Sequence, residues 1–575
     1  NMFGDNLLIY NKYDYAGRVI MESIKKEYLH QKYVTEVLDE NGMLRDIKFT
    51  IPENFNFGFD VVDAIAEKDN EKPALVWEGN NHDVKKFTFK DISELSNKAA
   101  NYFLSLGIKK GDRVLMIMKR HYQFWYAITA LHKIGAVAIP ATYLLTEEDI
   151  EYRLKKAGVK YIICTSDGEI SDAADGAIEA SGCVDKKLMV NGAKDGWIDF
   201  DAGVAEQSSV FERPTGENAT KSTDAMLMYF TSGTTAYPKI VTHDYTYPIG
   251  HIVTAKWWQN VHDDGLHFTI SDTGWAKAAW GKIYGQWLCE AAVFVYDFDK
   301  FNAHDILQMF AKHKITTFCA PPTMYRMFIK ENLDNYDLSS LEYACIAGEA
   351  LNPEVYYQFQ KSTGLKLMEG FGQTETTVVV ANLTGAEPKA GSMGKPNPQY
   401  EIELVNKNGE PVKNGESGEL CIRTDKSKPC GLFNGYYLDE EQTKQAWHDG
   451  LYHTGDMAKR DEDGYFWYIG RIDDVIKSSG YRISPFEVES TLMEIPYILE
   501  CAITGVPDAI RGQVIKASIV LVKGKEASED LKKEIQTYVK KHTAPYKYPR
   551  IVEFMDELPK TVSGKIRRVE LREQK

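Results

Sequence analysis

The chain has 575 residues, of which 43% are hydrophobic and 26% charged, a composition typical of a globular protein too long for a single core. Its formal net charge of −15 disfavours nucleic-acid and anionic-membrane partners. No apolar run approaches the ~18 residues that a membrane span needs, and no secretory signal is visible. The eight cysteines are scattered without a C-x-x-C pair, which indicates reduced thiols rather than a disulfide framework or a zinc site. We therefore expect a cytoplasmic protein, monomeric or homodimeric.

The first 60 residues are weakly patterned, with a helix expected over Tyr15–Tyr28. Strand-like and helix-like runs then alternate, which predicts α/β layers with largely parallel sheets. The expected helices are Gln123–Lys133 (ended by Gly135), Glu147–Ala157, Asn302–His313 and Pro353–Ser362. The expected strands are Asp112–Met118, Ala136–Pro140, Tyr161–Cys164, Thr316–Cys319, Tyr343–Ala347 and Lys366–Glu369.

After about residue 390 the pattern changes to short strands separated by Gly, Asn and Asp, which predicts a small antiparallel β barrel or sheet. A charged segment, Gly470–Asp474, precedes an α+β pattern with helices Pro485–Met493 and Glu529–Lys541. We therefore predict an N-terminal domain over residues 1–471, whose last part from about 390 is the small β subdomain. A C-terminal domain is predicted over residues 472–575.

The segment Tyr229–Lys239 (YFTSGTTAYPK) is suited to wrapping a polyphosphate. Ser232, Thr234 and Thr235 supply hydroxyl donors, Gly233 lets backbone N–H groups approach, and Lys239 adds positive charge. An ordinary connection between two strands has a similar composition, so this loop alone leaves both interpretations open.

Six segments in order settle the choice, because together they resemble the adenylate-forming superfamily of acyl-CoA synthetases, non-ribosomal adenylation domains and luciferases. They span residues from about 80 to 570 and are Thr231–Lys239, Gly348–Ala350, Gly370–Thr376, Tyr452–Asp456, Gly470–Lys477 with Ser479–Arg482, and Pro559–Lys565. The segments Ile270–Trp275 and Val506–Gly512 are most similar to medium-chain or branched-chain acyl-CoA synthetases related to acetyl-CoA synthetase.

The resemblance implies an acid–CoA ligase that uses ATP, Mg²⁺ and CoA. A carboxylate attacks the α-phosphate of ATP, releasing pyrophosphate, and CoA then takes the acyl group from acyl-AMP. Two anions about 4 Å apart repel by about 4 kcal/mol at an effective dielectric constant of 20, so the first step needs a cation between them. By resemblance that cation is Lys565, while Thr234 and Glu375 hold Mg²⁺.

The resemblance also implies the rest of the nucleotide site. Asp456 accepts hydrogen bonds from the ribose hydroxyls and Arg471 adds a donor. The phosphates contact Thr231, Ser232, Gly233, Thr234, Thr235 and Lys239. The adenine slot comprises Gly348, Glu349, Ala350, Glu369, Gly370, Phe371, Gly372, Gln373 and Thr374, with a flat purine lying against the bare backbone of the two glycines.

For the second step, the resemblance implies a rotation of the C-terminal domain about a hinge at Asp473. Ser479, Gly480 and Tyr481 then line the pantetheine tunnel, and Arg482, Arg511 and Lys540 meet the phosphates of CoA. Each of these basic residues, taken alone, is also typical of an ordinary solvated surface.

Two departures from the family pattern concern the phosphate loop and the acyl pocket. Ala236 stands where the family usually has glycine, and alanine resists positive φ by roughly 1 kcal/mol. Acetate-specific relatives carry tryptophan at the position of Gly372, so we expect room for an acid larger than acetate. The expected pocket walls are Trp275, Ala276, Lys277, Ala347 and Gly372.

Three other functions remain at this stage: an adenylation enzyme that loads a carrier protein, a luciferase-like oxygenase, and a non-catalytic nucleotide-binding relative. Arg511 and Lys540 favour CoA over a carrier protein. The presence of Glu375, Asp456, Arg471 and Lys565 disfavours a non-catalytic role.

Overall fold

The computed structural model describes residues 8–13, 19–24, 27–231, 237–349, 351–479, 481–561 and 565–573. Within these residues a large N-terminal α/β region is followed by a small antiparallel sheet and a small C-terminal α+β unit. Two β hairpins precede the α/β region, Leu8–Tyr13 with Val19–Ile24 and Val34–Leu38 with Leu44–Phe49. None of the described helices is both long enough and apolar enough to cross a membrane.

The first large sheet has seven strands, parallel except for the last pair. In spatial order they are Ile198–Asp199, Lys186–Val190, Tyr161–Thr165, Arg113–Ile117, Val137–Pro140, Ala225–Thr231 and Lys239–Asp244. The hairpin between the last two strands carries the phosphate-loop segment, and its register pairs Thr231 with Lys239.

The second large sheet has nine strands, with a parallel centre and antiparallel edges. In spatial order they are Lys395–Pro396, Val378–Ala381, Leu367–Gly372, Tyr343–Ile346, Thr317–Ala320, Leu266–Thr269, Ala292–Asp297, Pro73–Gly79 and Val84–Thr88. Ligand sites of such sheets lie beyond the carboxyl ends of the strands, where Ala347 and Gly372 are found.

The small antiparallel sheet consists of Ile402–Val405, Ser417–Arg423, Leu451–Arg460, Trp447–His448 and Phe466–Arg471. The sheet of the C-terminal unit consists of Tyr481–Ile483, Ile476–Ser478, Gly512–Leu521, Ile498–Asp508 and Ile551–Phe554.

Helices cover both large sheets, as parallel connections require. In chain order the α-helices are Ala64–Lys68, Phe89–Ser105, Gln123–Ile134, Glu147–Ala157, Ile170–Ser181, Phe200–Ala205, Tyr247–Ile252, Ala276–Gly281, Tyr284–Leu288, Ala303–His313, Pro322–Lys330, Pro353–Thr363, Glu440–Ala446, Pro485–Met493, Glu529–His542 and Arg568–Glu573.

Local sequence explains where several helices begin and end. At the start of Glu147–Ala157, the Asp149 N–H donates to Thr146 Oγ1 and the Thr146 N–H donates to Asp149 Oδ2, which forms a capping box. Gln123–Ile134 ends at Gly135, whose φ of 78° lies in the left-handed region that favours glycine. The predicted helix Glu147–Ala157 is confirmed at both ends.

The helix expected over Tyr15–Tyr28 is wrong. The described part of that segment is the strand Val19–Ile24, which pairs antiparallel with Leu8–Tyr13 from Val19–Tyr13 to Ile24–Leu8. The two β-branched residues at the start of Val-Ile-Met-Glu-Ser-Ile favour a strand, and the neighbouring strand supplies its hydrogen bonds.

Candidate active site

Asp456 and Arg471 face each other across the antiparallel pair Leu451–Arg460 and Phe466–Arg471. The preceding residue, Gly455, has a φ of 71°, a conformation that side chains disfavour. A Cβ at this position would lie 2.7 Å from Arg471 Nη2. Glycine therefore allows both the turn and the close approach of the guanidinium.

Three donors hold the buried carboxylate of Asp456 in one orientation. The amide of Gln373 donates to Oδ2 at 2.5 Å, the hydroxyl of Tyr468 donates to Oδ1 at 3.0 Å, and Arg471 Nη1 donates to Oδ2 at 3.2 Å. The charge of Asp456 raises the pKa of Arg471, against the opposing effect of burial. The result is a fixed anionic acceptor, which suits a ligand that brings hydroxyl donors.

The strand Leu367–Gly372 separates two faces of the cleft, because successive side chains point to opposite sides. On one face both glycines are covered by indoles. A Cβ on Gly370 would lie 2.5 Å from Trp258 Cε2, and a Cβ on Gly372 would lie 2.3 Å from Trp280 Cη2. The two indoles are edge to face, with ring centroids 6.1 Å apart.

The opposite face of the same strand carries Phe371. Its ring lies 6.1 Å from that of Tyr468, centroid to centroid, and Tyr468 is bonded to Asp456. The partly exposed Phe371 ring therefore stands beside the fixed carboxylate, on the side away from the indoles.

This geometry corrects the expectation for the two glycines. Where Gly370 and Gly372 lack side chains, there is no room for a purine or for several additional carbons of the acid. Trp258 and Trp280 already fill the space where a side chain would project. The aromatic surface available next to the ribose acceptor is that of Phe371.

The phosphate end of the cleft contains Glu375, Lys239 and Tyr436. The Tyr436 hydroxyl donates to Glu375 Oε1 at 2.8 Å, and the Lys239 ammonium lies 4.8 Å from the centre of the Tyr436 ring. Burial raises the pKa of Glu375 and lowers that of Lys239, while the attraction between the two charges opposes both effects. Ser232, Gly233, Thr234, Thr235 and Ala236 lie outside the described residues.

Lys277 lies at the entrance of the acyl side. Its ammonium donates to the carbonyl of Ala347 at 2.7 Å, and it would lie 3.7 Å from a Cβ on Gly348. Burial lowers the pKa of Lys277, and the positive charge of Lys565 lowers it further, although Cys319 and Glu349 oppose the shift.

The loop that carries Lys565 is closed by two hydrogen bonds. The Lys565 N–H donates to Thr561 Oγ1 at 3.1 Å, and the Thr561 N–H donates to the Lys565 carbonyl at 2.7 Å. Lys565 is exposed.

The other expected nucleotide residues have different surroundings. Glu369 is buried, and its burial raises the pKa of its carboxyl well above the usual range. The carbonyl of Thr374 accepts a hydrogen bond from His243 Nε2 at 2.7 Å. Glu349 is exposed near Lys277, Thr231 ends its strand next to the phosphate loop, and Ala350 lies outside the described residues.

On the acyl side, Trp275 is the residue before the helix Ala276–Gly281, and Ala276 is buried at its start. This short helix therefore carries Lys277 to the carbonyl of Ala347 and Trp280 to the strand Leu367–Gly372.

The expected CoA residues lie on the C-terminal unit. The Ser479 N–H donates to the Arg511 carbonyl at 2.9 Å, which brings the two together, while Arg482 is exposed on the adjacent strand. Tyr481 stacks on Tyr546 at 4.0 Å. Lys540 lies over the ring of Tyr548, and Gly480 is outside the described residues.

Comparisons with known proteins agree with this geometry. The sequence profile of the AMP-binding enzymes matches residues 62–437, and that of the AMP-binding enzyme C-terminal domain matches residues 487–565. The chain belongs to the AMP-binding enzymes. Of the curated relatives, acyl-coenzyme A synthetase ACSM3, mitochondrial, of Mus musculus is 40% identical over 543 residues, with 93% of each chain covered. ACSM4, mitochondrial, of Homo sapiens is 38% identical over 558 residues, with 95% of each covered.

Solved structures give the same result. An anthranilate CoA ligase, AuaEII, solved with anthranoyl-AMP, has a TM-score of 0.81 and 28% identity, with 91% of this chain and 97% of that chain covered. A benzoate CoA ligase from Burkholderia xenovorans has a TM-score of 0.77 and 26% identity, with 90% and 100% covered. The chain is thus an AMP-forming acid–CoA ligase that uses ATP, Mg²⁺ and CoA, as the motifs indicated.

Sequence reasoning missed four aromatic residues of the site: Trp258, Trp280, Tyr436 and Tyr468. Tyr468 and Arg471 are three residues apart on one strand, so alternation alone would put them on opposite faces, and the register shift opposite Met457 and Ala458 was not visible in the sequence. Trp258 and Trp280 lie about 100 residues before the glycines that they cover, and no local pattern connects them.

The glycine–indole packing predicts a specific stability effect. Gly372→Ala places a methyl group against Trp280 and the Thr377 carbonyl, and such overpacking costs about 1–3 kcal/mol. We expect a fall in Tm, measured by differential scanning fluorimetry, that Gly372→Ala/Trp280→Phe partly reverses. Equal Tm values for Gly372→Ala and the unmodified protein would contradict the placement of Trp280.

The Asp456 acceptor predicts a binding effect. Asp456→Asn removes the negative charge of the acceptor. A hydrogen bond to a charged group contributes about 1.5–3 kcal/mol, so the variant should bind ATP roughly 10- to 100-fold more weakly. The dissociation constant for ATP can be measured by calorimetry. Asp463→Asn, in an exposed turn of the same subdomain, should leave it unchanged, and an unaffected Asp456→Asn variant would exclude a role in ribose recognition.

Proposed function

We propose that this ligase activates a carboxylic acid bulkier than acetate and that Lys565 joins the acid to the nucleotide in the first step. The proposal is supported by the match of the AMP-binding enzyme C-terminal domain to residues 487–565, which ends at Lys565, and by the pair Asp456 and Arg471, which forms a fixed polar acceptor for the nucleotide.

The role of Lys565 is electrostatic. An acid carboxylate and a phosphate brought to about 4 Å repel each other by about 4 kcal/mol at an effective dielectric constant of 20. An ammonium between them converts this repulsion into two attractions at the moment of bond formation. Two hydrogen bonds between Thr561 and Lys565 hold the backbone at the base of the Lys565 side chain.

Glu375 would hold Mg²⁺ at the phosphate end. Its carboxylate supplies the hard oxygen ligand that Mg²⁺ prefers, and Tyr436 orients it by a single hydrogen bond to Oε1. The ion would neutralise charge on the leaving pyrophosphate. Lys239, next to Glu375, adds a second positive charge there, and Thr234 belongs to the same proposal although it lies outside the described residues.

The acid is limited in length by Trp280. In acetate-specific relatives the indole comes from the position of Gly372 itself, whereas here it comes from the helix Ala276–Gly281 and only its edge meets the strand. Because this indole packs against the backbone at Gly372, the proposal of an acid bulkier than acetate is supported by the similarity to the anthranilate and benzoate CoA ligases and not by space at residue 372. Trp275, Ala276 and Ala347 complete the proposed wall.

We also propose that the N-terminal domain ends at residue 471 and that Asp473 is the hinge of the C-terminal domain, residues 472–575. Asp473 is exposed, and its charge acts on Lys239 in the phosphate end. Rotation about this point would replace Lys565 by the surface that carries Ser479, Tyr481, Arg482, Arg511 and Lys540, which would then bind CoA.

The cytoplasmic location is a proposal supported by the eight free cysteines, which suit a reducing compartment. The two curated relatives named above are described as mitochondrial. The mitochondrial matrix also keeps thiols reduced, so the cysteines suit either compartment. Fractionation of cells of the source organism would distinguish the two compartments.

Lys565→Ala tests the electrostatic role. We expect acid-dependent exchange of pyrophosphate into ATP to fall by about 100-fold or more, because a preorganised charge is lost. Thioester formation from supplied acyl-AMP and CoA should be nearly unchanged. The control is Lys560→Ala, which removes a neighbouring lysine paired with Glu500. Equal losses in both half-reactions of Lys565→Ala would contradict this role.

Trp280→Ala tests the pocket limit. Each additional buried CH₂ contributes ~0.8 kcal/mol, which is about a fourfold increase in kcat/KM. If the variant accommodates two more carbons, its kcat/KM for the longer acids relative to the shorter ones should rise about 15-fold. The measurement is CoA-dependent AMP formation with linear C2 to C8 acids and branched C4 and C5 acids. Trp467→Ala, on the small β sheet, is the control. Unchanged selectivity of Trp280→Ala would place the pocket elsewhere.

A further inference from the structure

Three potential metal ligands of different chemistry converge in the small β sheet, behind the turn that carries Asp456. Cys421 and His453 are direct cross-strand partners in the pair Ser417–Arg423 and Leu451–Arg460. Glu419 lies two residues before Cys421, and the register shifts between these two residues. Such an irregularity changes the direction of side chains, and here both Glu419 and Cys421 contact the imidazole ring of His453.

Both Glu419 and Cys421 approach one atom of His453. Nδ1 of the imidazole lies 2.9 Å from Glu419 Oε2 and 3.4 Å from Cys421 Sγ. The ligand atoms of all three residues lie within 4.8 Å of one another. In a tetrahedral Zn²⁺ site, with bonds of about 2.3 Å to sulfur and about 2.0 Å to nitrogen, ligand atoms are about 3.3–3.7 Å apart. The cluster is therefore already close to the required size.

Hydrogen bonding satisfies this arrangement poorly. A neutral imidazole has one proton, so Nδ1 either donates towards the carboxylate and the sulfur at once or presents its lone pair to the carboxylate. Three electron-pair donors thus converge around one imidazole proton and the weakly donating thiol proton of Cys421. A cation at this point interacts favourably with all three.

We propose that Glu419, Cys421 and His453 form a binding site for a divalent transition-metal cation of the Zn²⁺ class. The donor set of thiolate, imidazole and carboxylate is one that Zn²⁺ uses and that Mg²⁺ does not favour, since Mg²⁺ prefers oxygen ligands. The site is distinct from the Mg²⁺ site proposed at Glu375.

Charge balance also fits a divalent cation. Cys421 is fully buried and lies next to the carboxylate of Glu419. On binding, the metal replaces the thiol proton, which passes to solvent, and the imidazole proton moves from Nδ1 to Nε2. Thiolate and carboxylate then carry two negative charges against the two positive charges of the ion.

The remaining coordination position belongs to water. His448 stacks on His453 with ring centroids 3.9 Å apart and planes 12° apart, so its lone pairs lie in a parallel plane and it covers the site without joining it. The side chain of His453 is 12% exposed and that of Glu419 is 17% exposed, which leaves a path for the ion.

The site is mechanically connected to Asp456. Glu419 Oε1 accepts from the Gly455 N–H at 2.9 Å, and the Thr454 hydroxyl donates to the Leu420 carbonyl at 2.7 Å. A metal on Oε2 leaves the bond from Gly455 in place, and thus fixes the two strands on either side of the turn.

The test uses Co²⁺ as an optical probe on nucleotide-free, chelator-treated protein in excess Mg²⁺. We expect one Co²⁺ per chain with a thiolate-to-metal charge-transfer band, and displacement of Co²⁺ by Zn²⁺. The band should be absent in Cys421→Ser and retained in Cys183→Ser, which removes a partly exposed cysteine elsewhere.

A second variant separates lost binding from lost folding. Glu419→Gln keeps the thiol and the size of the side chain, so the band should remain at saturating Co²⁺, with Co²⁺ affinity reduced by about 10- to 100-fold. Melting curves in chelator establish that each variant is folded. No charge-transfer band in the unmodified protein, or an unchanged band in Cys421→Ser, would overturn the proposal.

Discussion

The constraint on which this structure depends is that two negatively charged reactants must be brought into contact within one cleft. To meet this constraint, the protein must first hold the two reactants at separate places. The strand Leu367–Gly372 provides these places, because its alternation directs Phe371 towards Asp456 and directs the two glycines towards the indoles. In our proposal, Lys565 of the C-terminal unit supplies the positive charge where the two reactants meet.

The two sides of the cleft are built by different physical means. The nucleotide side is polar and preorganised: Gln373, Tyr468 and Arg471 hold one carboxylate, and a glycine turn allows their approach. The acyl side is shaped by packing. The absence of side chains at Gly370 and Gly372 lets the indoles of Trp258 and Trp280 pack directly against the backbone. Substitutions in the packed indole–glycine wall can therefore change its shape without altering the hydrogen bonds to Asp456.

Sequence patterns predicted the layered α/β region, the small antiparallel sheet and the C-terminal α+β unit, because these depend on local periodicity and on end signals such as Gly135. The order of motifs also located Asp456, Arg471 and Glu375 in one cleft. The N-terminal hairpin was mistaken for a helix, since its strand is stabilised by a neighbour that local pattern does not reveal.

Contacts between distant segments were beyond sequence reasoning. Trp280 reaches Gly372 across the cleft, so the absence of a side chain at 372 was misread as empty space. The cluster of Glu419, Cys421 and His453 lacks the paired-cysteine spacing by which zinc sites are recognised, and only the strand register unites it.

The most direct test of the central claim is a crystal structure of the protein with a non-hydrolysable acyl-AMP analogue. The purine should lie on the Phe371 side and the acyl group on the Trp280 side. Lys565 Nζ should lie within about 2.7–3.2 Å of both an acyl and a phosphate oxygen. A purine packed against Trp258 and Trp280, or a Lys565 side chain directed away from the analogue in this domain arrangement, would contradict the account.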